Sequence, residues 1–135
     1  MKKYLATLLA AAGLLLLNAC ATVENNDRTI TELANHMMVS TGAVWDGPWA
    51  SLGALTAESG FALRINDRQV VFLKYNTNSK KQTKRLKYVD KNGCLYLYAF
   101  KFPAMRHGSF VMMDYEAFPP ETKEKLIKAF KSFGE

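Results

Sequence analysis

Two hydrophobic periods divide this chain and set its class. Between Thr29 and Gly42 the apolar residues Ile30, Leu33, Ala34, Met37 and Met38 recur at helical intervals. From Phe61 the interval drops to two, with Phe61, Leu63 and Ile65 alternating with Ala62 and Arg64. Side chains share a face every 3.6 residues on a helix and every two on a strand, so the chain must combine both. Thr29 and Glu32 have capping-box spacing, and Gly42 offers a helix stop. Asn66-Asp67 reads as a turn into a second strand, Val70 to Tyr75. Ser79 to Lys87 reads as a polar, basic connection, and Asn92-Gly93 is a tight hairpin signal. Leu95 to Phe102 then reads as one long strand, Pro103 to Gly108 as a loop, and Ser109 to Tyr115 as a last strand. Pro119-Pro120-Glu121 opens a final helix, where proline suits the first turn. Its apolar stripe is Leu126, Ile127, Phe130 and Phe133, with Lys123, Lys125, Lys128 and Lys131 on the wet side. The expected fold is α+β: an N-terminal helix, an antiparallel meander of four or five strands, and a C-terminal amphipathic helix. The two helices would cover one sheet face.

The first residues follow other rules. Met1-Lys2-Lys3 is a short positive start, and Tyr4 to Leu17 is an apolar run of fourteen residues without a charge. That is short of the roughly 20 residues a membrane-spanning helix needs, and it matches the core of a secretory signal peptide. Leu17-Asn18-Ala19-Cys20 resembles the lipobox of bacterial lipoproteins: an aliphatic residue, a tolerant position, a small residue, then cysteine. The resemblance covers about residues 1–21. It implies that the Cys20 thiol receives a diacylglycerol, that a peptidase removes residues 1–19, and that the new amino terminus is acylated. It implies no other cofactor. Ala21 in place of Asp implies, for a Gram-negative host, sorting to the outer membrane. Two other readings are an ordinary signal peptide cut near Ala19 or Ala21, and a retained signal anchor. The short core argues against the anchor.

Cleavage before Cys20 leaves 116 residues and takes two lysines with it, lowering the net charge from +6 to +4. That length supports one core and is too short for two. Residues 20–28 are expected to be a lipidated polar tether and residues 29–135 a single domain. With Cys20 lipidated, Cys94 stands alone, and burial is the ordinary state of a lone cysteine.

Two stretches are candidate binding sites. Lys80, Lys81, Lys84, Arg85 and Lys87, with Lys91 beyond, suit an anionic envelope partner such as lipid head groups or an acidic protein. They equally suit a solvated charged loop, which is ordinary surface. The leader argues against a nucleic-acid partner, and none is expected. Trp45 and Trp49, with Asp46 between, suit a protein contact or a core anchor in a small domain. Tyr96, Tyr98, Phe100 and Phe102 read as an inward sheet face. Catalytic motifs are absent: there is no Gly-x-Ser-x-Gly, His-Glu-x-x-His, P-loop or dinucleotide fingerprint. A thiol enzyme would need Cys94 beside His107 or His36. The two histidines lie seventy-one positions apart, so no metal site is expected. The leading expectation is therefore a lipid-anchored, periplasm-facing binding or accessory module without enzyme activity. The alternatives are a thiol-dependent envelope enzyme using Cys94 and a structural tether from outer membrane to peptidoglycan.

Overall fold

The computed structural model describes residues 25–135; the leader, Cys20 and the start of the tether lie outside the described residues. Helix α1 (Ile30–Thr41) is followed by β1 (Val44–Pro48), the one-turn helix α2 (Leu52–Leu55), β2 (Ser59–Ile65) and β3 (Arg68–Lys74). Then come α3 (Lys80–Asn92), β4 (Cys94–Leu97), β5 (Phe100–His107), β6 (Phe110–Met113) and α4 (Pro120–Ser132). The fold is α+β, with six strands in one antiparallel sheet of order β1-β2-β3-β6-β5-β4. Two three-stranded meanders meet at β3 and β6, and α3 carries the chain from the middle of the sheet to its far edge.

Both ends of α1 are fixed by the residues that mark it in the sequence. Thr29 Oγ1 accepts from the Glu32 N–H at 3.1 Å, and Gly42 turns left-handed (φ 76°) to return its N–H to the Met38 carbonyl. Leu33, Ala34 and Met37 of α1 and Leu126, Ala129 and Phe130 of α4 bury against Phe61, Leu63, Val70, Phe72, Phe110 and Met112. A fully buried side chain of this size contributes about 1.5–3 kcal/mol.

The opposite sheet face is covered as well, which departs from the expected two-layer arrangement. Val71, Leu73, Tyr75, Val111 and Met113 pack under Leu55 of α2 and Leu86 and Val89 of α3. The cause lies in β3 and β6, where Val70–Leu73 and Phe110–Met113 are buried at every position. A strand without a polar face needs cover on both sides.

That second cover is the stretch expected to be a basic loop. Ser79 Oγ accepts from the Gln82 N–H at 3.3 Å, and Gly93 (φ 64°) returns its N–H to the Val89 carbonyl at 2.8 Å. Asn92-Gly93 therefore ends a helix rather than turning a hairpin. A left-handed glycine serves either purpose, but the hairpin turn needs positive φ at both residues and only Gly93 has it. The long strand expected over Leu95–Phe102 breaks at Tyr98-Ala99, where Leu97 pairs with Phe100 across a two-residue turn. Residues 103–107, expected as a loop, extend β5. Pro103 lies opposite Cys94, the first residue of β4, so its missing N–H falls where that ladder begins; Ala104 donates to Gly93 O at 3.0 Å instead.

Candidate functional site

The β1 segment divides the tryptophan candidates. Trp45 lies opposite Leu63 and Pro48 opposite Phe61, so β1 carries one extra residue between them, with Gly47 at φ 107°. A bulge of this kind reverses the facing of everything beyond it. Trp45 stacks on Phe61 (centroids 5.5 Å apart) on the α1/α4 side and is 52% exposed. Trp49 packs into the core under α2 and α3, and its Nε1–H is buried with no acceptor among the described residues. The two indoles thus belong to opposite faces. Asp46 faces away from Trp45 as well: its Oδ2 accepts from Arg64 Nη2 at 2.9 Å and Gln69 Nε2 at 2.7 Å. The Arg64 hydrogen bond, then that of Gln69, hold the Asp46 carboxyl below its usual range. This carboxylate ties three strands together.

The basic candidates do share a face. Lys80, Lys81, Lys84 and Lys87 are all exposed on the outer side of α3, with Lys91 continuing the row. Arg85 leans inward, and its Nε donates to Thr56 Oγ1 at 3.3 Å. Among the described residues none of these lysines is ion-paired, and Asp90, the helix's one acid, is bound by Arg106 Nη1 at 2.7 Å. Lys80, Lys84 and Lys87 line, with Thr77, Asn78 and Thr83, a shallow hollow of about 320 Å³. The first turn of α3 carries no acid. Cations there oppose the helix dipole, an effect of about 0.3–1 kcal/mol each. Folding alone does not reward this arrangement.

A third surface reverses an expectation. Tyr98 is 83% exposed, Phe100 71% and Tyr96 45%, so three of the four aromatics read as core instead form the open tip of the β4–β5 hairpin, while Phe102 packs, partly buried, against the core under α2 and α3. Tyr98 sits at φ 57°, a region that glycine and asparagine favour and that costs other residues about 1–2 kcal/mol. The turn breaks the two-residue interval read from 94 to 102: Leu97 opposite Phe100 and Leu95 opposite Phe102 put both phenylalanines on the face of Leu95 and Leu97, while Tyr96 shares the other face with Lys101.

Cys94 and the histidines are not brought together. Cys94 is buried and lies opposite Pro103. His107 is four residues further along β5, about 13 Å at strand rise. Its Nε2–H donates to Phe133 O at 2.8 Å, and the His36 Nε2–H donates to Ala129 O at 2.7 Å. Both imidazoles thereby satisfy carbonyls at the end of α4, as helix C-termini require. Among the described residues no group of three His, Cys, Asp or Glu side chains could hold a metal ion, and no helix is long and apolar enough to cross a membrane. No protein-family model matches the chain, and no curated protein or solved structure matches it either.

Proposed function

We propose that this chain is a lipid-anchored lipoprotein of the cell envelope, cut before Cys20 and held at the outer membrane. Its domain is a periplasm-facing binding or accessory module, and the β4–β5 hairpin is its contact with a partner protein. The anchoring half rests on the charged start, the short apolar run and Leu17-Asn18-Ala19-Cys20. The binding half rests on one observation: an aromatic side chain, Tyr98, held in a strained backbone conformation at the exposed tip of the β4–β5 hairpin. Strain of this kind persists where a surrounding structure holds it and concentrates at functional sites. Tyrosine and phenylalanine at such a tip offer large apolar area at low side-chain entropy, as protein contacts favour.

Site-specific photocrosslinking in cells tests the contact. A photoreactive phenylalanine at Phe100 is expected to give one discrete heavier adduct, absent when the same group replaces Lys125 on the outside of α4. Equal adducts from both positions, or none from Phe100, would remove the hairpin from the reading.

A further inference from the structure

The chain leaves the domain at a defined place. Asn25 is buried at the β5–β6 turn, where its carbonyl accepts from Ser109 Oγ at 3.2 Å and its side chain donates to Phe133 O at 3.4 Å. Asn26 donates to Thr77 Oγ1, just before α3, and Lys74 Nζ donates to Arg28 O at 2.6 Å. Residues 25–28, read in the sequence as tether, therefore lie against the domain. Cys20 is five positions upstream, and a fully extended chain of that length reaches at most about 17 Å. Whatever holds Cys20 is close to this end of the sheet. The β4–β5 tip lies at the other end, one length of the eight-residue strand β5 away, or about 26 Å.

We infer that the lysine row of α3 docks on the anionic lipid surface of the membrane that holds Cys20, fixing the domain upright with its aromatic hairpin pointing away from the bilayer. This rests on the proposed lipidation. Lys80, Lys81 and Lys84 lie on the first turns of α3, next to Thr77 and so next to the chain's exit. Lys131, in the last turn of α4, is exposed at the same end. These cations have no carboxylate partners among the described residues. A bilayer containing phosphatidylglycerol carries the complementary charge, and basic residues beside a lipid anchor add to its hold. The surface also answers the unfavourable placement of Lys80 and Lys81 on the helix dipole, because lipid phosphates would neutralise them. A lipid chain alone would leave the domain free to tumble; the lysines give it a direction.

The test uses the full chain expressed with its leader, purified from membranes and reconstituted into vesicles. One set is neutral phosphatidylcholine and the other contains phosphatidylglycerol at about one-third. Flotation in high salt, where surface attraction is screened, reports the lipid anchor by itself. Amine acylation read lysine by lysine reports docking. On the anionic vesicles Lys80, Lys81, Lys84 and Lys87 are expected to react at least ~3-fold more slowly than on neutral ones, while Lys123 and Lys125 are unchanged and high salt abolishes the difference. The variant Lys80→Glu/Lys81→Glu/Lys84→Glu is expected to float as before and lose the protection of Lys87. The same change should make α3 more stable by complementing its dipole, a gain that a purely structural role for the lysines would not allow. A chain that floats but shows uniform lysine reactivity overturns the docking inference alone, and protection confined to native membranes would assign the row to an acidic protein. A chain that does not float in high salt overturns the lipoprotein reading and this inference with it.

Discussion

Gly93 separates the two ways its neighbourhood can be built. In the structure it is the left-handed residue after α3, at φ 64°, and a Cβ placed on it would meet nothing within 4 Å. The effect of Gly93→Ala is therefore purely conformational. The left-handed region costs an alanine about 1–2 kcal/mol, offset by about 0.4–1 kcal/mol from the stiffer unfolded chain, for a net loss of about 1 kcal/mol. Asn92 is the last residue of the helix, and its side chain donates to Tyr88 O at 3.0 Å on an exposed surface. Asn92→Ala exchanges that exposed bond for better helix propensity, so it should change stability by no more than about 0.5 kcal/mol. A hairpin at Asn92-Gly93 would need positive φ at both residues, and both substitutions would then be equally harmful. Urea unfolding at 25 °C of the mature chain carrying Cys20→Ser measures both. A loss of about 1 kcal/mol for Gly93→Ala corresponds to a fall in Tm of about 4–8 °C. Equal losses from the two variants, or no loss from either, would refute the helix-cap assignment.

Leu86 is fully buried and, with Val89, holds α3 to the sheet, so Leu86→Ala should cost about 2–5 kcal/mol. Hydrogen exchange should then speed first in residues 80–92; uniform acceleration across the domain would contradict a separately attached α3. Tyr98→Gly relieves the φ 57° conformation and should raise stability by about 1 kcal/mol while weakening partner crosslinking at the hairpin; lost stability would mean that the side chain packs after all. Asp46 carries a pH signature. Its folded carboxyl titrates below the ordinary 3.8, so its contribution is present above that value and is lost as pH falls through the lower one. The stability gap between wild type and Asp46→Asn, followed by urea midpoints from neutral to strongly acid pH, should hold steady above pH 5 and narrow below about 4. A gap independent of pH would show that the Arg64 and Gln69 hydrogen bonds do not favour the charged form.

Much of this fold is legible where one local rule acts alone. Thr29, Glu32 and Gly42 mark α1, and Phe61 to Ile65 mark β2, because cap chemistry and a two-residue period each have one interpretation there. Helix α3 is hard to see since it buries only Leu86 and Val89 and its other residues are mostly lysine and polar. The telling signal was non-local: Val70-Val71-Phe72-Leu73 and Phe110-Val111-Met112-Met113 have no polar alternation, so something had to cover a second face. The Tyr96–Phe102 row misleads because nothing in its residue types marks the turn at Tyr98-Ala99, after which Phe100 and Phe102 share a face with Leu95 and Leu97 instead of with Tyr96. The bulge that parts Trp45 from Trp49 is signalled only by Gly47-Pro48, which reads equally well as a plain turn. Of the basic candidates, the residue types were legible at once, but their alignment on one helix face and their nearness to the chain's exit depend on α3 and on where Asn25 packs.

The intact mass of the protein extracted from membranes, wild type beside Cys20→Ser, tests the anchoring claim most directly. The expected result is a species of residues 20–135 plus a diacylglycerol and an amide-linked acyl chain, with the lipid absent from the variant. A wild-type chain that retains Met1, or one cut elsewhere and carrying no lipid, would contradict it.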